Sequence, residues 1–295
     1  MKLVAVCDCR SDHRDLFPEA QGFSRLEEML AAKTVDAVLV ATPHPSHVAL
    51  GLQVLNAGMH LLVEKPLAVH VAEGRQLVDA AQHVSRCFAI MFNQRSDPMY
   101  QRLRTLVADG ELGEIKRISW TVTDWFRPDA YYRSGGWRAT WKGEGGGMLL
   151  NQCPHHLDLW QWIFGMPETI SAKVGFGRHH DIEVEDEVSA FFEYTDGTIG
   201  VFIASTGEAP GVNRLEVASD HGLITLEERT LKWKKISEPI CAFNLNNDDP
   251  FAQPVYEEII EEYPDHGGQH VEILRNFAAN ILDETELLAP GRTGL

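Results

Sequence analysis

Short apolar runs alternate with amphipathic segments over the first third of the chain. The apolar runs cover residues 3–7, 37–41, 61–63 and 88–92. Residues 24–32 and 46–57 lie between them, have helical periodicity, and the second segment ends at Gly58, a common helix terminator. Continuous apolar strands that alternate with helices are typical of a parallel sheet covered on both faces. We therefore predict a Rossmann-type α/β domain over residues 1–95.

The remainder of the chain has a different pattern. A helical segment over residues 98–109 precedes a series of strand-like segments. These strand-like segments cover residues 114–126, 170–176, 187–194, 198–205, 214–218, 223–227 and 231–236. Asp196-Gly197 separates two of them and is a strong hairpin signal. We predict an α+β domain over residues 96–295, with an open-faced, mostly antiparallel sheet and a helix over residues 270–282 as its cover.

Composition and charge exclude several kinds of partner. With 43 acidic and 26 basic residues the formal charge is −17, which repels nucleic acid and anionic membranes. The five cysteines are odd in number and scattered, which does not fit a disulfide framework, and no apolar run approaches the ~18 residues of a membrane span. We expect a cytoplasmic protein with reduced cysteines. His179-His180-Asp181 is more typical of a solvated loop than of a metal site, so we predict no metal.

Polar residues follow each of the four predicted parallel strands. Ligands of open parallel sheets bind at the carboxyl ends of the strands, so we predict a dinucleotide site there. Its residues, in chain order, are Asp8, Arg10, Ala41, Thr42, Pro43, His44, His47, Glu64, Lys65, Pro66 and Asn93. Asp8 can hold a ribose hydroxyl pair and favours NAD over NADP because a carboxylate repels a 2′-phosphate, although Arg10 could accept one. Lys65 and Asn93 are also expected to face the substrate.

A second concentration of candidate residues follows the glycine run 145–147. The glycines allow close backbone approach, and Asn151 and His155 share one helical face if the helix starts early. Six of the seven tryptophans lie between residues 120 and 162; of these, Trp160 and Trp162 are expected in the core. Others lie among glycines and charges, which suits a wall against the apolar face of a sugar. The predicted substrate residues of this region are Trp125, Trp137, Arg138, Asn151, His155 and His156.

Two stretches together resemble the glucose–fructose oxidoreductase/inositol dehydrogenase family, also written GFO/IDH/MocA. They are "VDAVLVATPHPSHVALGLQVLNAGMHLLVEKPLAV" and, downstream, "GGGMLLNQCPHHLD". The resemblance covers nearly the whole chain. It implies a catalytic lysine at Lys65, a catalytic histidine at His155, and an NAD(P)-dependent oxidoreductase acting on a secondary alcohol of a sugar, cyclitol or derivative. It also implies a homo-oligomer, dimer or tetramer, formed through the open sheet.

The chain departs from that family at Asn151, where an aspartate is common. Asparagine cannot take up a proton, so proton transfer must rest on His155, with the Lys65 ammonium stabilising charge on the alcohol oxygen. Loss of a nearby carboxylate should also lower the pKa of His155. Two alternatives stay open: a nucleotide- or sugar-binding regulator without turnover, which Asn151 favours, and a glycosidase that uses NAD transiently.

The chain also lacks a feature with which Rossmann units open. A strand and a G-x-G-x-x-G turn normally precede the ribose-binding acid by about 20 residues, whereas Asp8 comes eight residues into this chain. The strand would lie between residues 3–7 and 37–41, in the middle of the sheet. We therefore expect a fragment of a longer reading frame, short at Pro290–Leu295 as well, with an interrupted sheet, weak dinucleotide binding and marginal stability.

Overall fold

The computed structural model describes residues 1–295, which divide into two compact units. The first unit contains residues 1–96 and 268–295, and the second contains residues 97–267. The expectation of a single domain over residues 96–295 is therefore wrong from Gly268 onward. The last helix buries Ile273 and Phe277 in the core of the first unit, so it does not cover the antiparallel sheet as predicted.

The first unit contains a parallel sheet and its helices. Its elements are β1 (Ala5–Cys7), α1 (Ser11–Arg14), β2 (Gln21–Phe23), α2 (Leu26–Ala32), β3 (Ala37–Val40), α3 (His47–Asn56), β4 (His60–Val63), α4 (Val71–Gln82) and β5 (Phe88–Ile90). Strands β3, β4 and β5 pair in parallel in that order, with Leu39 opposite Leu62. The side chains of Leu61, Leu62 and Val63 are fully buried, which accounts for the uninterrupted apolar run. The parallel sheet is confirmed.

The parallel strands of the first unit form two separate sheets. Strands β1 and β2 pair with each other in a separate two-stranded sheet, and β3 pairs only with β4. No residue of β1 is fully buried, and Leu39 on β3 is 45% exposed. Apolar residues in a continuous parallel sheet would be covered on both faces.

The second unit is dominated by one large sheet. Its elements are α5 (Pro98–Ala108), β6 (Ile115–Val122), α6 (Asp129–Arg133), α7 (Met148–Asn151), α8 (Pro154–Phe164), β7 (Thr169–Phe176), β8 (Glu185–Glu193), β9 (Ile199–Ser205), β10 (Asn213–Ser219), β11 (Gly222–Glu227), β12 (Thr230–Ile236), α9 (Ile240–Asn246) and β13 (Tyr256–Glu262). The chain then returns to the first unit with α10 (Gln269–Asp283). The strand order is β13-β12-β11-β10-β6-β9-β8-β7, and every pair is antiparallel except β6–β9. The predicted mostly antiparallel sheet is therefore confirmed.

Helices α5 and α8 cover one face of this sheet. Their apolar residues share a core with Trp120 and Phe202 of the sheet, and Trp160 is 2% exposed within it. The opposite face contains Phe191 of β8 and Ile199 of β9, which are 55% and 50% exposed. This unit therefore has the open-faced architecture that the strand pattern predicts. No helix of the structure has both the length and the apolar character needed to cross a bilayer.

Candidate active site

His47 joins two of the strand-end loops of the first unit. Its ring is fully buried, with Nδ1 2.7 Å from the carbonyl oxygen of Pro66 and Nε2 2.7 Å from that of Thr42. Both ring nitrogens are thus occupied by backbone oxygens. The prediction that His47 contacts a cofactor is wrong; the residue instead fixes the loop after β3 against the loop that contains Lys65.

The loop after β3 is otherwise open to solvent. Ala41, Thr42 and Pro43 are exposed, whereas His44 is 8% exposed and lies edge-on to His47. The Thr42 and Ser46 hydroxyl oxygens are 2.6 Å apart. Backbone and hydroxyl groups of Ala41–Pro43 can therefore be reached by a ligand, as predicted, but most of His44 cannot.

Lys65 follows β4 directly, between Glu64 and Pro66. Glu64 and Lys65 are half-buried, Pro66 is buried, and the Lys65–Pro66 peptide bond is cis. The backbone N–H of Glu64 donates to the carbonyl of Val40 at 2.8 Å, which continues the β3–β4 pairing to the edge of the loop. The lysine is therefore attached to a fully paired strand end, a rigid base for a functional side chain.

Asp8 lies at the carboxyl end of β1 in a small polar network. Its Oδ1 accepts the Arg10 backbone N–H at 2.8 Å, and Oδ2 lies 2.9 Å from His13 Nδ1. The Arg10 N–H and then the His13 ring hold the pKa of this carboxyl below its usual range. The Arg10 guanidinium is itself bound by Asp12, with Nη2 2.5 Å from Oδ2, so it is already paired.

Asn93 follows β5 and is 6% exposed. Its Nδ2 donates to Nδ1 of His270 on α10 at 3.2 Å, while Oδ1 is buried without a hydrogen-bond partner. A buried acceptor of this kind requires a partner that the chain does not supply. Asn93 is therefore the predicted site residue whose own geometry points most directly to a bound donor group.

These groups fit the hydroxyl- and amide-bearing parts of NAD. Asp8 supplies an ionised carboxylate for ribose hydroxyls, and the Asn93 Oδ1 acceptor suits an N–H or O–H donor. Arg10 is paired with Asp12 at the surface, which weakens the argument for a 2′-phosphate. The G-x-G-x-x-G pattern that cradles a pyrophosphate does not occur in this sequence, so the fit rests on the ribose and amide groups.

In the second unit, the glycine run is shaped by protein backbone rather than by a ligand. A Cβ added to Gly147 would lie 2.1 Å from the backbone oxygen of Glu185 on β8. The Glu185 carboxylate accepts the N–H groups of Gly147 at 2.9 Å and Leu149 at 3.0 Å. These bonds occupy N–H groups at the start of α7, which otherwise lack partners. Close approach, the role predicted for the glycines, therefore anchors the helix that ends at Asn151.

Asn151 and His155 lie about one helical turn apart, but in two helices. Asn151 ends α7, His155 lies in the first turn of α8, and Pro154 begins α8. Proline has no N–H, so it interrupts the hydrogen-bond ladder of a continuous helix. The two residues between the helices, Gln152 and Cys153, keep helical backbone angles. Asn151 and His155 therefore keep the separation of about one helical turn that the sequence predicted.

Glu144 is a site residue that the sequence did not reveal. It is 3% exposed, its Oε1 accepts from Asn151 Nδ2, and its Oε2 accepts the Ala139 N–H at 2.7 Å. Because a carboxylate accepts hydrogen bonds, Nδ2 of Asn151 faces Glu144 and Oδ1 is the acceptor that Asn151 offers elsewhere. A carboxylate therefore lies beside position 151 although residue 151 is an asparagine, and the predicted effect of this substitution on His155 stays a prediction. An acid directly before a glycine run is the one signal in the sequence that could have indicated this carboxylate.

His156 belongs to the core rather than to a substrate site. It is 5% exposed, and its ring lies edge-on to Trp120 and Trp125, with centroids 5.2 and 6.2 Å away. Burial lowers the pKa of His156 to about 4. Its burial against these two rings disfavours the predicted contact with substrate.

Trp125, Trp137 and Arg138, three of the predicted substrate residues, lie in one cluster with two residues that the prediction omitted, Arg127 and Tyr131. Trp137 is 36% exposed, and the Arg138 guanidinium lies over its ring and over that of Tyr131. Arg127 in turn lies over the rings of Tyr131 and Trp125. Arg127 and Tyr131 could have been included from the sequence, since both lie within the tryptophan-rich segment.

The histidines of the segment 179–181 are engaged with carboxylates. His179 Nε2 lies 2.7 Å from Glu187 Oε2, and His180 Nδ1 lies 3.2 Å from Asp186 Oδ2. Asp186 also accepts three backbone N–H groups of this turn. Each carboxylate therefore shapes the turn, and no set of three potential metal ligands is found in the chain.

Both units match known protein families. Residues 1–92 match the model of an oxidoreductase family with an NAD-binding Rossmann fold, and residues 100–225 match the GFO/IDH/MocA C-terminal domain. The uncharacterized oxidoreductase YdgJ of Escherichia coli K12 is 30% identical over 251 residues, which cover 83% of this chain and 70% of YdgJ.

Two further similarities concern named proteins. Inositol 2-dehydrogenase of Corynebacterium glutamicum strain R is 39% identical over 222 residues, 67% of this chain and 62% of that enzyme. The structure of GenD2 from gentamicin A biosynthesis, in complex with NAD, has a TM-score of 0.77 at 25% identity, covering 99% of this chain and 82% of GenD2. The chain spans only 47% to 62% of the length of several curated relatives.

Proposed function

This chain belongs to the GFO/IDH/MocA oxidoreductase family, and we propose that it is an NAD-dependent dehydrogenase of a sugar or cyclitol. It interconverts a secondary alcohol and a ketone. The observation that carries the proposal is the pairing of Asn151 with a buried carboxylate, Glu144, one turn before His155. The similarity to an inositol 2-dehydrogenase supports the choice of substrate class.

Each of the three site residues has one role in this proposal. His155 accepts the hydroxyl proton of the alcohol, because imidazole is a base that operates near neutral pH. Lys65 stabilises the negative charge that develops on a substrate oxygen. Asn151 accepts a hydrogen bond from a substrate hydroxyl through Oδ1, since Glu144 holds its Nδ2. When bound, NAD accepts the hydride.

The carboxylate of Glu144 weakens the case for a regulator without turnover. That hypothesis relied on Asn151 as a sign of lost chemistry. A buried carboxylate that binds the Asn151 amide is instead the arrangement expected of a maintained site, because a buried charge without a function is costly to keep. The structure contains no comparable observation in favour of the glycosidase.

A cofactor-reduction assay tests the proposal. The protein is incubated with NAD and a panel of sugars and cyclitols that includes inositol, and NADH is followed by absorbance. We expect NADH formation with at least one compound and its loss in Lys65→Met. Absence of NADH with every compound would contradict the proposal, and release of an aglycone without net NADH would favour the glycosidase.

We also propose that the open face of the large sheet binds a second copy of the chain. Phe191 pairs in register with Val201, and Ile199 and Ile203 lie on the same face of β9. Exposed apolar strips of this kind mark interfaces. Light scattering should show an oligomer that Phe191→Glu dissociates, whereas Phe251→Glu, at an 87% exposed loop position, should leave it intact. A monomeric wild-type protein would refute this interface.

A further inference from the structure

Two arginines and three aromatic residues of the second unit form an alternating stack. Arg127 Cζ lies 5.2 Å from the ring centre of Trp125 and 5.0 Å from that of Tyr131. Arg138 Cζ lies 4.6 Å from the ring centre of Tyr131 and 4.5 Å from that of Trp137. We name these five residues the arginine–aromatic stack.

Neither arginine of the stack is paired with a carboxylate. Arg127 donates from Nη1 to the carbonyl of Phe126 at 3.0 Å, and its Nε is buried without a hydrogen-bond partner. Arg138 donates from Nη1 to the Tyr131 hydroxyl at 2.8 Å. Arg133, in the same segment, lies 3.9 Å from Asp129. In a chain with a net charge of −17, two neighbouring cations without an acidic partner indicate that an anion from outside the chain binds them.

The stack also fixes how these cations can be approached. Each guanidinium lies within about 5 Å of two ring centres, so its N–H groups rather than its faces are what a further partner would bind. A planar guanidinium edge matches the two oxygens of a carboxylate or phosphate. Because Tyr131 contacts both arginines, their Cζ atoms lie within about 10 Å of each other, and like charges at that distance repel. An anion bound near both relieves the repulsion.

The stack adjoins the segment that contains Asn151 and His155. Trp125 lies edge-on to the ring of His156, with centroids 6.2 Å apart. Gln152 Nε2 is 3.4 Å from the Tyr131 hydroxyl. His156 and Gln152 are the direct neighbours in sequence of the two residues that we assign to substrate.

We propose that the substrate is a sugar or cyclitol with an acidic group, and that the N–H edges of Arg127 and Arg138 bind this group. The inference rests on the proposed dehydrogenase function. Aromatic rings alone would serve a neutral sugar equally well; the two arginines without acidic partners are what specify an anion. Carboxylates and phosphates share the required oxygen geometry. The acidic group orients the sugar in the site and is chemically unchanged by the reaction.

Matched sets of compounds test this proposal. Glucose, glucuronate and a glucose phosphate form one set, and inositol with an inositol phosphate forms a second. NAD reduction is measured with the wild-type protein and with Arg127→Gln, Arg138→Gln and Arg138→Lys. Arg133→Gln is the matched control, since Arg133 is 73% exposed and outside the stack. Comparison of the carboxylate with the phosphate identifies the kind of acidic group.

We expect an acidic member of a set to have a kcat/KM about 10- to 100-fold above its neutral counterpart. Arg127→Gln and Arg138→Gln should remove this advantage mainly by raising KM for the acidic compound, whereas the control Arg133→Gln should leave kcat/KM for both compounds within about twofold of wild type. Arg138→Lys should retain part of the advantage of the acidic compound, because lysine keeps the positive charge but lacks the two parallel N–H donors of the guanidinium. Equal kcat/KM for acidic and neutral compounds, or equal losses for both in the variants, would overturn the proposal.

A binding measurement separates this proposal from the dehydrogenase function. Calorimetric titration with the same acidic compounds, without NAD, reports the anion site alone. Binding that Arg138→Gln abolishes and Arg133→Gln leaves unchanged, but without NADH formation, supports the anion site and contradicts the dehydrogenase. NADH formation from neutral compounds without any binding of acidic ones supports the dehydrogenase and overturns the anion site.

Discussion

Replacing Glu144 by Gln is the most discriminating single change at this site. The carboxylate accepts hydrogen bonds from Asn151 Nδ2 and from the Ala139 N–H. Glutamine keeps the shape but has one oxygen and one NH2, so it can accept only one of them. The remaining donor, either Asn151 Nδ2 or the Ala139 N–H, then faces the NH2 group of the glutamine. Water cannot replace the lost acceptor, because the side chain at position 144 is only 3% exposed.

The cost follows from these two contacts. A hydrogen bond to a charged acceptor contributes about 1.5–3 kcal/mol, and a buried donor without a partner costs about 1–3 kcal/mol. We therefore expect Glu144→Gln to lower the free energy of unfolding by about 2–4 kcal/mol. Ala139 adds to this sensitivity because it has a φ of 51°, in the left-handed region that only a few non-glycine residues adopt. Urea denaturation followed by fluorescence measures the loss.

Activity should fall as well, through Asn151. The oxygen of the introduced glutamine is expected to accept the Ala139 N–H, so the Asn151 amide loses its fixed orientation. The value of kcat/KM should therefore drop about 10- to 100-fold. The double variant with Asn151→Ala should lose little more than either single variant, with a coupling energy of about 1–2 kcal/mol. Asn151→Asp should also reduce activity, because two adjacent carboxylates cannot both stay ionised.

Glu183→Gln is the matched control. Glu183 accepts the Trp141 N–H at 2.7 Å in the same region but is exposed. We expect the free energy of unfolding of Glu183→Gln to differ from the wild-type value by less than about 0.5 kcal/mol, and its kcat/KM by less than about twofold. Wild-type stability and activity in Glu144→Gln, or strictly additive effects with Asn151→Ala, would refute the reasoning about Glu144.

Four further measurements test the remaining assignments. Lys65→Met and His155→Ala should each lower kcat by about 10²- to 10⁴-fold with an unchanged circular dichroism spectrum, and wild-type turnover would remove that residue from the mechanism. Trp137→Ala should raise KM for the substrate about tenfold without changing NADH affinity in a fluorescence titration; equal weakening of both would place Trp137 elsewhere. Asp8→Asn should weaken NADH binding several-fold. Because a backbone N–H and a neighbouring imidazole hold the pKa of Asp8 below its usual range, wild-type affinity should stay constant from about pH 8 to about pH 5, and a loss in that window would contradict this. Since burial lowers the pKa of His156 to about 4, the unfolded state binds its proton first as the pH falls. The free energy of unfolding should therefore decrease by about 2 kcal/mol between about pH 7 and about pH 5, and a similar decrease in His156→Phe would show that another group is responsible.

The parallel sheet could be predicted because its strands are buried on both faces. Leu61, Leu62 and Val63 are fully buried and form an uninterrupted apolar run, which between two helical segments is typical of a central parallel strand. Strand β2 could not be predicted, since Gln21-Gly22-Phe23 has no apolar pattern. Strand β13 was also missed, because an edge strand that contains four glutamates in seven residues looks like a charged loop.

The destination of α10 could not be predicted either. The apolar stripe that contains Ile273 and Phe277 predicts a helix with one buried face. It does not specify which core that face joins, because both units offer apolar surface. The return of the chain to the first unit is set by packing against residues far apart in sequence, which a periodicity argument does not include.

At the candidate site, the sequence indicated positions better than roles. The rule that ligands bind at strand ends brought His47 and Asn93 into the same set of predicted residues. In the structure His47 binds two backbone carbonyls, whereas Asn93 has a buried oxygen without a partner. Both are polar residues beyond an apolar strand, so only the three-dimensional positions of the neighbouring carbonyls distinguish a structural histidine from a ligand-binding asparagine.

Glu144 shows how a substitution in sequence can preserve a local charge in space. A Cβ on Gly143 would lie 2.3 Å from the Trp137 carbonyl oxygen, so the loop folds back tightly enough to bring Glu144 against Asn151. The negative charge then lies one side chain away from position 151, and the group that we propose for the substrate hydroxyl is the amide oxygen of Asn151. An amide oxygen accepts hydrogen bonds over the whole physiological pH range without taking up a proton. In the proposed mechanism, recognition of the substrate hydroxyl by Asn151 is thereby separated from proton transfer by His155, so the pH dependence of turnover should follow a single base rather than a coupled pair.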